Sequence, residues 1–193
     1  MHTDAHQVQR KWVDWFMRLT TIALVLAAGA ALPLRARAQS TVTLLDYRTA
    51  VPAGWVSRAP SSAMRLAEYT VPGPDAAGGA EVVVYFFGKG QGGSVESNLA
   101  RWKAQFSTPD GSPVPETVTR DSTGAFPITI AEYRGTYARG IGTGSPEQAK
   151  PGQALIAAIA ETPRGTLFIQ LFGPAARVVA ERDALVRFAK GLR

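Results

Sequence analysis

Three glycines, Gly88, Gly90 and Gly93, stand at the spacing G-x-G-x-x-G between an apolar run and a helical pattern. In that setting a dinucleotide pyrophosphate can rest on free N–H groups at the helix start. The fingerprint also needs a parallel β-α-β unit and an acidic residue for the ribose. Here the chain runs from the helix into a Pro-rich loop, with no Asp or Glu closing a second strand. Lys89 is followed by Gly90 rather than Ser or Thr, so no Walker-type phosphate loop forms either. What remains is Gly93 and Ser94 at a helix N-terminus, a place where a small anion can bind; the plainer reading is a flexible strand-to-helix loop. Further along, Asn98, Arg101 and Gln105 lie together beside the apolar stripe of the same helix. They can contact a ligand or partner, or form an ordinary helix shoulder with Arg101 bonded to a nearby loop. Gly93, Ser94, Asn98 and Arg101 are the candidate ligand-binding residues.

Catalytic candidates are limited by what is missing. Both histidines, His2 and His6, fall in the first 38 residues, and the chain has no cysteine. From Gln39 onward there is no usual general base near neutral pH, no Ser-His-Asp triad and no thiol nucleophile. The common ligands of zinc, copper and haem are absent too, and disulfides are impossible. Two enzyme chemistries survive, paired carboxylates and Lys with Ser or Tyr. The carboxylates are scattered, from Asp46, Glu68, Asp75 and Glu81 to Glu181 and Asp183, with no catalytic spacing and no calcium-loop alternation. The reading is therefore no catalytic residue, no metal site and no cofactor.

Residues 1–38 read as a signal peptide. Arg10, Lys11 and Arg18 precede an apolar run from Leu19 to Leu32, and Ala36-Arg37-Ala38 offers small residues for cleavage before Gln39. The run falls short of the ~20 apolar residues that span a bilayer. Arg35, Arg37 and Pro33 at its exit leave an uncleaved anchor as the rival reading. No Arg-Arg pair precedes the run, against a twin-arginine route. After cleavage, sixteen basic residues face thirteen acidic ones, a charge of +3. That is mainly a solubility statement, and no basic cluster interleaved with aromatics points to nucleic acid. The expectation is an exported, periplasmic or secreted domain of residues 39–193, with no stable membrane anchor after cleavage.

The elements that must position these residues follow from periodicity. Strands are expected at Thr41–Tyr47, Met64–Val71, Glu81–Phe87, near Thr117, and from Phe126 to Tyr137. A hairpin follows, Ala154–Ala160 and Leu167–Phe172, joined by Thr162–Gly165. Loops are expected at Pro72–Gly79 and Arg139–Gly152. Ser94 N-caps a helix whose Val95, Leu99, Trp102 and Phe106 form one stripe, stopping before Pro109. A last helix opens at Gly173-Pro174 and lines Val178, Leu185, Val186, Ala189 and Leu192 along one face. Trp55 and Trp102 read as core or core-edge residues. Tyr133 and Tyr137 share a strand face that lines a groove or covers the sheet. The order β-β-β-α-β-β-β-β-α, with short turns and strands apolar throughout, predicts one α+β domain. Its antiparallel sheet of about six to seven strands is covered by two amphipathic helices.

Val51-Pro52-Ala53-Gly54-Trp55, Gly93-Ser94 with Asn98-Leu99-Ala100-Arg101-Trp102, and Leu171-Phe172-Gly173-Pro174 before the last helix resemble a group of exported bacterial proteins of unknown function. Their layout is similar to the PsbP-like α/β/α sandwich of extrinsic photosystem subunits and a Ran-binding relative. The resemblance implies a domain that binds other proteins or supports assemblies. It carries over no catalytic or metal residue, and nothing in the chain suggests photosynthesis. The leading expectation is a non-enzymatic domain that binds a protein or envelope component through a sheet edge, a loop or the first helix. The second is a small-molecule or anion binder using the Gly88–Ser94 loop and Arg101. The third is an enzyme built on carboxylates or Lys. The sequence does not set the oligomeric state.

Overall fold

The computed structural model describes residues 40–74, 78–138 and 149–193. The signal-peptide reading lies outside the described residues. So do residues 75–77 of one expected loop and 139–148 of the other.

The apolar, β-branched runs form the strands expected of them. Among the described residues, β1 is Thr41–Leu44, β2 Tyr47–Ala50, β3 Val56–Arg58, β4 Arg65–Val71 and β5 Ala80–Phe86. Helix α1, Val95–Lys103, is followed by β6 Phe106–Ser107, β7 Glu116–Asp121, β8 Ile128–Tyr137, β9 Lys150–Thr162 and β10 Gly165–Pro174. Helices α2, Ala175–Ala180, and α3, Arg182–Lys190, close the chain. Eight strands make one sheet in the order β3-β4-β5-β10-β9-β8-β6, with β7 also on β8, and every pairing is antiparallel. That topology removes the parallel unit a dinucleotide fingerprint requires.

Side chains alternate across a strand, so the central strands feed two cores at once. Val82 and Val84 of β5, Ile156 and Ala158 of β9, and Leu167, Ile169 and Leu171 of β10 pack with Val178, Leu185, Phe188, Ala189 and Leu192 under α2 and α3. The opposite face sends Ala131, Tyr133, Leu155, Ala157, Ile159 and Phe168 towards Trp102 of α1 and Phe106 of β6. The fold class is as expected, an antiparallel sheet with helices on both faces. Trp55 and Trp102 are both buried.

The local differences have physical causes. The strand expected over Thr41–Tyr47 is a hairpin, β1 and β2, turning at Leu45-Asp46, where Leu45 takes a positive φ of 55°. A turn without glycine or Asn-Gly gives little warning in a sequence. This hairpin is tied to the C-terminus by Arg48 N–H to Arg193 O at 2.9 Å and the return bond at 3.2 Å. The first helix ends at Lys103, and Phe106 reaches the same core from a two-residue strand paired with Tyr137. The last helix is broken at Glu181 (φ −95°, ψ −1°). Its carboxylate accepts the Trp55 indole N–H at 3.0 Å and pairs with Arg177 at 2.9 Å. A tertiary contact thus sets the break where the sequence has neither Gly nor Pro.

Candidate functional site

Helix α1 is nine residues long and lies over β8, reaching Phe168 of β10 through Trp102, whose ring centroid is 6.3 Å away. It cannot roof the whole sheet face. Beside it the outward positions of β5 and β10, every second residue, line a groove. Tyr85 and Phe87 come from β5 and the residue after it; Phe168, Gln170 and Phe172 come from β10. Tyr137 of β8 also lines it, and Arg101 and Trp102 of α1, with Gln105 just past the helix end, form one wall. Two depressions of about 270 and 200 Å³ share Tyr85, Gln105, Tyr137 and Gln170, which makes them one continuous concavity. Its rings contact one another, with Tyr137–Phe172 centroids 4.4 Å apart and Phe87–Phe168 5.6 Å apart. The Tyr85 and Phe87 planes are parallel to within 4°. Arg65 stands 5.4 Å over the Tyr85 ring and 3.6 Å from Glu81. Large aromatic surfaces with a few polar handles suit recognition.

The four candidate residues are divided by the structure. Ser94 caps α1, accepting from Ser97 N–H at 3.1 Å, as the sequence suggested. Gly93 has φ +83°, and a Cβ there would lie 2.8 Å from Ser97 Oγ. Asn98 is buried and acts as a strut. Its amide donates to the carbonyls of Gly92 and Ser94 at 2.8 and 2.9 Å, and its oxygen accepts from Arg101 Nη2 at 2.5 Å. Gly93 and Ser94 border a second cavity of about 540 Å³ at the N-terminal end of α1, whereas Arg101, near its C-terminal end, lines the groove. The second cavity holds Glu96, Asp121 and Glu161 against Arg120, which already pairs with Glu96 at 3.6 Å. With Asp121 paired to Lys190 at 2.6 Å, neither Arg120 nor Lys190 is free for the anion that a bare helix N-terminus would attract, and Glu161 opposes it. Of the shared-face tyrosines, Tyr133 is buried beneath α1, donating to Leu99 O at 3.1 Å, and Tyr137 reaches the groove.

Gln170 was not among the sequence candidates, yet a signal for it exists. It is the lone polar side chain in Leu167–Phe172, a strand otherwise apolar on both faces. Such a residue marks where one face is not closed over.

Glu68 is the most buried carboxylate, 1% exposed, on β4. One oxygen accepts from Ser61 N–H at 2.6 Å, Ser61 Oγ at 2.8 Å and Arg65 at 3.2 Å; the other has no partner. The Ser61 bonds, aided by Arg65, outweigh burial and hold the acid below its ordinary value of 4.5. Its stabilisation is therefore present above the ordinary carboxylate range and lost as pH falls through the lower folded value. In thermal melts the wild-type melting temperature should drop between about pH 5 and pH 3, and Glu68→Gln should flatten part of that drop. The remaining part belongs to acids such as Asp121, held low by Lys190 and Thr123. A Glu68→Gln curve parallel to wild type would show that Glu68 does not anchor the segment around Ser61.

No protein-family model and no curated protein matches the chain. Among solved structures, it superposes on the solution structure of cyanobacterial PsbP (CyanoP) from Synechocystis sp. PCC 6803, covering 86% of this chain and 98% of that one, with a TM-score of 0.51. The fold is PsbP-like. At 9% identity the likeness concerns the fold alone. A protein of unknown function from Pseudomonas aeruginosa matches at 14% identity over 76% of this chain and 90% of its own, but its TM-score of 0.38 is too low to carry an argument. In this PsbP-like sheet, no described helix is long and apolar enough to cross a membrane, and no three His, Cys, Asp or Glu residues among those described are placed to hold a metal.

Proposed function

We propose that this chain is an exported, non-enzymatic accessory domain that binds a protein or envelope component through the groove beside α1. The observation that carries the reading is the unequal cover of the sheet. Among the described residues, one face is buried under α2 and α3, while the other has a single short helix and an aromatic groove next to it. Export is supported by the basic, apolar and small-residue segments of positions 1–38. A non-catalytic role is supported by the lack of His and Cys from Gln39 onward, and is in keeping with the groups whose acidity is shifted. Hydrogen bonds hold Glu68, Asp110, Glu116 and Asp121 below the usual carboxylate range. Burial pushes the phenols of Tyr69 and Tyr133 up. These shifts move groups away from neutrality, where general acid–base catalysis works best.

The test is chemical cross-linking of the wild-type protein in its own cells, with mass spectrometry of what co-purifies, alongside Gln170→Arg. Gln170 is half-buried with its side chain over the groove, so the variant fills the groove without opening the core. A dominant partner captured by wild type and lost in a folded Gln170→Arg protein is the expected result. Undiminished capture by the variant would move the binding surface elsewhere, and no capture by either would overturn the reading.

A further inference from the structure

We infer that the groove receives an extended, apolar and acidic peptide segment of a partner protein, an inference that rests on the binding role proposed for the groove. The floor supplies the apolar half. Phe87 and Phe172, half-buried like Tyr85 and Tyr137, present ring surface next to the buried Phe168 and Leu155. An extended segment turns every second side chain to one side, so apolar residues face this floor while their neighbours face the rim. The rim supplies the charge. Arg65, Arg101 and Lys150 line the groove, against Glu81 as its one carboxylate. Arg65 is shared with Glu68 and Glu81, whereas Arg101 and Lys150 make no ion pair among the described residues. The larger cavity at the N-terminal end of α1 has no such excess of basic groups: Arg120 is paired with Glu96 and Lys190 with Asp121, which leaves Glu161 without an ion pair among the described residues. An acidic segment is drawn to the groove rather than to that cavity, which fixes where it docks.

The remaining chemistry suits a peptide main chain. The side-chain amides of Gln105 and Gln170 make no hydrogen bond among the described residues, and both border the middle of the groove. Each amide offers a carbonyl acceptor and N–H donors, the pair of functions that an extended backbone presents in alternation.

The test uses the protein as the cell accumulates it and three short fluorescent peptides in which leucine alternates with glutamate, serine or lysine. Anisotropy titrations at low salt should give binding about tenfold tighter for the glutamate peptide than for the serine peptide, the size that two exposed ion pairs can supply, with the lysine peptide weakest. Added salt should erase the difference. Arg101→Glu with Lys150→Glu should invert the order. Lys150→Glu alone should lower the preference, and because Lys150 has no described partner it guards against a folding artefact. Equal binding of the three peptides, or a glutamate preference that survives the double reversal, would overturn the acidic assignment. The groove reading itself would still stand if Gln170→Arg abolished partner capture in cells. Binding of a chitooligosaccharide with no peptide binding would overturn the assignment to a protein partner. Failure of every probe, together with capture that ignores Gln170→Arg, would overturn both.

Discussion

Phe188→Ala should lower the melting temperature by roughly 6–20 °C. Truncating a buried phenylalanine costs ~3–5 kcal/mol, and each kcal/mol moves the midpoint of a domain of this size by ~2–4 °C. Phe188 is 1% exposed on α3, with the Trp55 ring at 5.3 Å and the Tyr69 ring at 6.1 Å. Its own carbonyl accepts Thr49 Oγ1 at 2.6 Å. One residue therefore joins the C-terminal helix to β4 by its ring and to the β1–β2 hairpin by its backbone. The loss would consume a large share of a typical stability of ~5–15 kcal/mol. Phe188→Leu, which keeps most of the volume, should lose far less. Thermal melts of the two variants decide the matter, and equal small losses would mean that α3 is not packed as described.

Trp102→Ala should release α1 while leaving the sheet folded. A nine-residue helix is too short to be stable alone in water. It is held by Val95, Leu99 and Trp102 against the second core, by Tyr133 O–H to Leu99 O, and by the Asn98 strut to the Gly92–Ser94 loop. Trp102 is the largest of these anchors and is 3% exposed. Its loss, ~3–5 kcal/mol, should speed amide hydrogen exchange across residues 95–103 by roughly a hundred- to a few thousand-fold. The amides of β9 and β10 should remain slow. Exchange that rises equally in helix and sheet would show that α1 and the sheet unfold as one unit. The groove wall formed by Arg101 and Gln105 depends on this helix, so partner capture should fall with it.

The long elements were legible because each has a strong local pattern. The β-branched run of β5, the alternation in β8 and the β9–β10 hairpin could be read directly, as could the Ser94 cap. What escaped depends on tertiary contact. Strand β3 is three exposed residues and has no apolar period. The break at Glu181 comes from Trp55 and Arg177, far away or a turn behind in sequence. Glu68 looked like one scattered acid among many, since its burial requires Ser61 to fold back over it. The groove was the hardest to foresee. Its walls come from β4, β5, β8, β9, β10 and α1, and of its residues the sequence offers Arg101, Gln105 and Tyr137 as possible contacts, with Trp102 read as core rather than as a stacking platform. Which part of a sheet face a short helix fails to cover depends on packing, and no local period encodes it.

On the proposed function, the half-covered sheet face meets the partner. A photoreactive amino acid placed at Gln170 in the groove, and separately at the exposed Val179 of α2 on the opposite face, tests it most directly in living cells. One dominant cross-linked protein is expected at Gln170 and none of it at Val179. The same product at both positions, or a product at Val179 alone, would contradict it.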